Sequence, residues 1–332
     1  MLYICLKENI MNIKRAVIVI CILTIFISCI NTKQKTIGKA NNDNWIKFTW
    51  ESATLSNKYF PKFAMLVPIK INGLNANFEL QFDLGANTSV LYGNILNSYF
   101  SESEIKNMLI DSTKLSSNDK ISYHATKGID MLAGNFKIEK ITYMENYGKA
   151  IPKDSLFTKT PKHIGSLGAD AFVDKILIID FPSKKMCVLD TLKGHWKSRT
   201  TFVQAQSKRG RLHVPLKINQ ETHWFLFDTG ASLFPINTNK KLWTEIVQEN
   251  TKADTLITSS WGENINFYGK MTAKNIYLGD KKLEKNYAWY SENKRLMEFN
   301  TAENIDGLIG NAYFFNEIII LDFKNNRFGI VN

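Results

Sequence analysis

The sequence predicts an all-β fold with minor helices, assembled from two copies of one unit. Three observations carry this: the chain repeats itself at long range, each copy is a succession of short β-branched and aromatic runs bounded by Asn, Gly and Asp, and helical periodicity is sparse. With 332 residues, 44% of them apolar, the chain has enough material for two cores. A charged fraction of 22%, with 7 prolines and 18 glycines, excludes disordered and collagen-like classes.

Taken in order, the chain begins with a secretory signal. Lys14-Arg15 precede an apolar run from Ala16 to Ile27, shorter than the roughly 20 residues a membrane span needs. Met11 opens a complete basic n-region of its own and is an alternative start. The run ends in Phe26-Ile27-Ser28-Cys29, which resembles the lipobox of bacterial lipoproteins, with Phe26 departing from the usual first position. The resemblance implies a signal over residues 1–29, lipidation of Cys29, and an extracytoplasmic, membrane-anchored protein; an uncleaved anchor is the other reading. Of the four cysteines, Cys5, Cys21, Cys29 and Cys187, only the last would keep a free thiol after cleavage at Cys29, so no intrachain disulfide is expected. Residues 30–44 are polar and read as a flexible tether. The formal charge of +11 is spread without blocks of like charge. With no zinc-finger spacing, RNP-like strand or basic helix, no nucleic-acid partner is indicated.

The repeat begins beyond the tether. Val67-Pro68-Ile69-Lys70-Ile71-Asn72 leads into Phe82-Asp83-Leu84-Gly85-Ala86, and Val214-Pro215-Leu216-Lys217-Ile218-Asn219 leads into Phe227-Asp228-Thr229-Gly230-Ala231. Downstream, Gly168 precedes Ile176-Leu177-Ile178-Ile179-Asp180 and Gly310 precedes Ile318-Ile319-Ile320-Leu321-Asp322, with 12 residues from glycine to aspartate in both copies. The continuous aliphatic runs predict strands covered on both faces. Helices are expected at Ser103 to Leu109 and Lys240 to Val247, and Gly134 and Gly269 are read as a further matched pair.

An aspartate closing an apolar strand before a small-residue turn is most simply a capped turn. Two such turns in a repeat permit more. A pseudo-two-fold arrangement would bring Asp83 and Asp228 together, and carboxyls in contact share a proton. Such a pair can activate water against an amide carbonyl.

The turn Phe227-Asp228-Thr229-Gly230-Ala231-Ser232 resembles the catalytic turn of retropepsin-like and pepsin-like aspartic peptidases. Gly307-Leu308-Ile309-Gly310 resembles the segment that braces it, and Gly165-Ser166-Leu167-Gly168 is its counterpart in the first copy. The resemblance covers roughly residues 60–332. It implies a bilobal acid-protease-like fold of two pseudo-two-fold-related β-barrel lobes, at 45–197 and 198–332, acting as a monomer with an internal pseudo-dimer. It implies Asp83 and Asp228 as catalytic residues, supported by Gly85, Ala86, Thr229, Gly230, Ala231 and Ser232 and braced by Leu167, Gly168, Ile309 and Gly310. The substrate would be a peptide or protein, with no metal or organic cofactor.

Leu84 takes the place of the family's threonine, whose hydroxyl bonds across to the opposing turn, so one cross-bond is expected to be missing while Thr229 supplies the other. Ala86 and Ala231 stand where pepsin-like relatives often place a hydroxyl, so a less acid-shifted pair is expected. Flap hairpins are expected at Thr126-Lys127-Gly128 and at Trp261-Gly262-Glu263-Asn264. Two other readings stay open: a catalytically silent lipoprotein that binds peptide or a surface partner in the cleft, and an intermolecular dimer of self-contained repeats.

Other chemistry is disfavoured. The five histidines, His124, His163, His195, His213 and His223, lack zinc-protease spacing. Ser232 lacks the glycine that completes a nucleophile elbow. Cys187 reads as buried filling, and Asp180 and Asp322 as structural caps.

Overall fold

The computed structural model describes residues 44–117, 122–127, 129–260 and 263–332. Cys29 and the signal and tether residues before Asn44 lie outside these. Among the described residues the fold is all-β with short helices, and its strands form two ten-stranded mixed sheets and one six-stranded sheet.

The two large sheets follow the same order. The first runs Leu109–Ser117, Ser122–Thr126, Thr142–Glu145, Val90–Tyr92, Lys162–Leu167, Phe78–Phe82, Lys58–Ile71, Met131–Ala133 and Phe136–Lys137. The second runs Asp254–Ser260, Glu263–Met271, Tyr287–Tyr290, Ile236–Thr238, Gly307–Ile309, Glu221–Phe227, Arg211–Ile218, Ile276–Leu278 and Lys281–Lys282. Each gains a tenth strand through a hairpin, Thr49–Leu55 on the first and Gln206–Lys208 on the second. Alternation sets which face is buried: Phe78, Leu80 and Phe82 are sealed in the core while Glu79 and Gln81 between them are half-exposed.

The aliphatic runs join the two halves. Ile176–Asp180 pairs antiparallel with Ile318–Asp322, Ile178 opposite Ile320, at the middle of the six-stranded sheet. Both faces of the first run are covered, Leu177 and Ile179 by the main core and Ile176 and Ile178 by a second cluster with Trp196 and Val331. That two-sided cover explains the lack of alternation, and each fully buried aliphatic side chain contributes about 1.5–3 kcal/mol. Asp180 accepts from Ser183 N (2.9 Å) and Asp322 from Asn325 N (2.9 Å), so both cap turns as expected. Cys187 is buried in strand Lys185–Leu189.

Helices form at Glu102–Met108, entered through a capping box between Ser101 and Glu104, and at Lys240–Ile246, capped by Asn239. A longer one, Lys294–Glu303, capped by Asn293 and ended by Asn304 in the left-handed conformation, was not expected from the sequence, nor were the single turns Gly93–Leu96 and Gly194–Lys197. The Gly134 and Gly269 match is corrected. Gly134 turns the chain at φ +56° between two short strands, and its counterpart is Gly279 at φ +58°, each 51 residues beyond its aspartate. Gly269 instead lies in a strand opposite Trp289, where a Cβ would meet the indole at 2.5 Å.

Candidate active site

Each aspartate ends a strand that is held in parallel by its brace. Phe82 pairs with Leu167 and Phe227 with Ile309. The next peptides continue the ladder, Asp83 N donating to Leu167 O (3.0 Å) and Asp228 N to Ile309 O (2.9 Å). The brace glycines let the chain pass: a Cβ on Gly168 would lie 2.7 Å from the Thr88 carbonyl carbon, and one on Gly310 2.1 Å from Ala231 O. All four predicted bracing residues therefore stand directly behind the turns.

The two turns interlock. A Cβ on Gly85 would lie 2.4 Å from Asp228 Cγ, and one on Gly230 would lie 2.6 Å from Asp83 Oδ1. Each turn's glycine thus makes room for the other turn's carboxyl. Backbone donors orient them. Ala86 N donates to Asp83 Oδ1 (3.0 Å), while Gly230 N (2.8 Å) and Ala231 N (3.3 Å) donate to Asp228 Oδ1.

The cross-link between turns is one-sided, as the sequence predicts. Thr229 Oγ1 accepts from Leu84 N (2.9 Å) and donates to Phe82 O (2.9 Å). Leu84 offers no reciprocal hydroxyl and packs into the core. Ser232 does not face the carboxyls. Its hydroxyl donates to Thr229 O (3.0 Å) and accepts from Asn311 Nδ2 (2.5 Å), stiffening its own turn.

Electrostatics set the protonation. Both aspartates keep some solvent access, yet protein surrounds them densely enough that burial raises both pKa values above the ordinary carboxyl range. Asp228 is pushed up to about 8 by burial and then by the charge of Asp83. At Asp83 burial again dominates, but hydrogen bonds from Ala86 and Asp228 and the Arg211 charge oppose it. The raised values belong to the pair, which therefore retains a proton toward neutral pH.

A group the sequence reading missed sits beside the first turn. Arg211 Nη1 donates to Gly85 O (3.0 Å), and Arg211 Nη2 pairs with Glu303 Oε2 (2.9 Å). His213 Nε2 approaches the same carboxylate at 3.6 Å, and Arg209 reaches Glu303 from the surface at 3.5 Å. Arg211, His213 and Glu303 are all buried. Burial lowers the His213 pKa more than Glu303 raises it, so this histidine is held neutral. The signal was the repeat itself: the counterparts of Arg211 and His213 in the first copy are Ala64 and Leu66, both buried and apolar.

The flap expectations fare differently. Thr126 ends strand Ser122–Thr126 opposite Leu109, and Lys127 N bonds Met108 O. The hairpin is therefore connected beyond Ser117 and Ser122, and Thr126 stands at its base. Thr126 and Lys127 therefore stand at the strand's exit and not at a tip. Gly128 lies outside the described residues, as do Trp261 and Gly262; the strands flanking that second site pair from Asp254 opposite Gly269 to Ser260 opposite Glu263. Among the described residues no group of three His, Cys, Asp or Glu is placed to hold a metal ion.

No family model matches the chain, and no curated protein matches it at a significant level. The architecture agrees in outline with a bilobal, all-β, acid-protease-like arrangement.

Proposed function

We propose that the chain is an aspartic-type endopeptidase, held outside the cytoplasm by a lipid on Cys29, that hydrolyses peptide bonds through Asp83 and Asp228. One observation supports the reading: each turn's glycine lies against the other turn's carboxyl, an arrangement in which two acids can share one proton. With Asp83 as the ionised member of the pair, its carboxylate takes a proton from water as the water oxygen attacks the substrate carbonyl carbon. Asp228 donates its proton to the carbonyl oxygen, giving a neutral diol. Collapse breaks the C–N bond as Asp83 returns its proton to the amide nitrogen and Asp228 recovers one from a diol hydroxyl, restoring the starting state.

Asp83→Asn and Asp228→Asn, made separately and assayed on a mixed peptide library, test this. Each should lower turnover by about 10²–10⁴-fold or more. Turnover within about tenfold of wild type in either variant contradicts the shared mechanism. Leu84 favours one second reading, a silent peptide-binding relative, which would show as peptide retention without cleavage between about pH 3 and 8.

A further inference from the structure

A cavity of about 730 Å³ opens in the second half of the molecule, and neither aspartate lines it. It is lined chiefly by helix Lys294–Glu303 and by the neighbouring strands Ile236–Thr238, Gly307–Ile309 and Glu221–Phe227. Small-molecule sites occupy roughly 300–1,000 Å³, so the size suits one. Asn237 shares its sheet face with its register partners Trp289 and Leu308. Those two side chains and Leu296 of the helix belong to one apolar cluster, so Asn237 faces the helix across the cavity.

The repeat shows what the fold itself requires at these positions. Asn237 stands opposite Leu308, one residue after Gly307, and in the first copy Val90 stands opposite Ser166, one residue after Gly165. The buried Val90 shows that an apolar side chain serves there. Asn237 is only 9% exposed, and its amide has no hydrogen-bond partner among the described residues. Burying an unpaired amide is unfavourable, so the fold gains nothing from it. Trp224 likewise replaces Glu79, each opposite the proline of its Val-Pro pair and four residues before its aspartate. Half-buried Trp224 joins none of the apolar clusters, and neither its indole N–H nor the Asn300 amide has a partner among the described residues. The helix itself is an addition: between the corresponding strands of the first copy stands only the single turn Lys153–Ser155.

The charges around the cavity are already paired. Lys240 meets Glu292 at 2.7 Å, while Asp306 accepts from Trp224 N (3.2 Å) and approaches His223 Nδ1 at 3.3 Å. An anionic ligand would therefore meet a lining cation that is already engaged. The strands beneath have hydrogen-bonded neighbours on both sides, so an extended peptide cannot join them as an added strand. What remains is a pair of unpaired amides beside an indole. An amide both donates and accepts, as a hydroxyl does, and an indole offers a flat apolar face with a donor at its edge. Such a set matches a ring with hydroxyls around its rim and C–H groups on its faces. We infer that the cavity binds a neutral pyranose, with Asn237 and Asn300 bonding its hydroxyls and Trp224 lying against its apolar face. This does not depend on the peptidase reading.

The test is saturation-transfer NMR on the purified protein with the methyl pyranosides of glucose, galactose, mannose and N-acetylglucosamine, each at about 10 mM, which registers even millimolar affinity. A printed array of neutral glycans distinguishes a free sugar from the end of a longer chain. Binding to a pyranoside, or to the array alone, is the expected result, and Asn237→Leu and Asn300→Ala should each weaken it by about tenfold. Because the Asn237 amide makes no bond within the described protein, Asn237→Leu should melt no lower than wild type, which separates a lost ligand from a lost fold. Asn300→Ala carries the test if the leucine variant does not fold. No binding to any pyranoside and none to the array overturns the inference, as does a sugar that binds both variants as tightly as wild type.

Discussion

Replacing Thr229 by valine tests the link between the turns, because the side chain keeps its shape and loses only its hydrogen bonds. The hydroxyl is fully buried and makes two contacts of 2.9 Å, accepting from Leu84 N and donating to Phe82 O. Valine strands the Leu84 N–H, a cost of roughly 1–3 kcal/mol, and removes a bond to Phe82 O contributing about 1 kcal/mol. The total is about 2–4 kcal/mol, and because Leu84 supplies no second hydroxyl, nothing in the opposing turn compensates. For a protein of this size it should lower the thermal midpoint by roughly 4–12 °C. Scanning calorimetry of Thr229→Val and Thr229→Ser measures it, and the serine variant, which retains the hydroxyl, should fall by less than half as much. A valine variant melting within a degree or so of wild type would refute the reasoning.

Further outcomes follow from the same geometry. Asp228 holds its proton to about 8 when folded and near 3.9 when unfolded. Between those values the folded state binds more protons, so this group makes stability decline as pH rises through the window. Asp228→Asn should accordingly flatten that decline and raise the melting temperature at pH 7, as measured by thermal melts across the range. Catalysis needs one proton on the pair, so the rate should peak above the range of ordinary carboxyls and fall as pH passes about 8; a maximum below about pH 3 would contradict the raised values. Glu303→Leu should destabilise by about 3–5 kcal/mol in chemical denaturation by leaving Arg211 buried without its carboxylate, and adding Arg211→Met should recover part of the loss.

What the sequence disclosed was what the repeat duplicated. The turns at Asp83 and Asp228, their braces at Gly168 and Gly310, and the paired runs ending in Asp180 and Asp322 recur with nearly fixed spacing, and the structure sets the turns against each other, each brace behind its own turn and the two runs side by side. Thr229 was readable too, because Leu84 marks the missing half of the cross-link. What escaped was whatever the copies do not share. Helix Lys294–Glu303 has few apolar residues and is fixed at its end by Glu303 meeting Arg211, a contact no local pattern encodes. The hairpin of Thr49–Leu55 with Lys58–Ile71 was legible as strand, but its attachment to Asp254 and Ile257 joins positions about 200 residues apart. The hairpin tip expected at Thr126 was not legible because turn-favouring residues there stand at a strand's base, where register, not composition, decides the tip.

The most direct measurement is a pH titration of the aspartate side-chain carboxyls by ¹³C NMR, with Asp83→Asn and Asp228→Asn providing assignments. The expected result is two separated steps for the pair, the second completed only as pH rises through about 8. Both carboxyls ionised by about pH 5, as for isolated surface aspartates, would contradict the shared proton on which the mechanism depends.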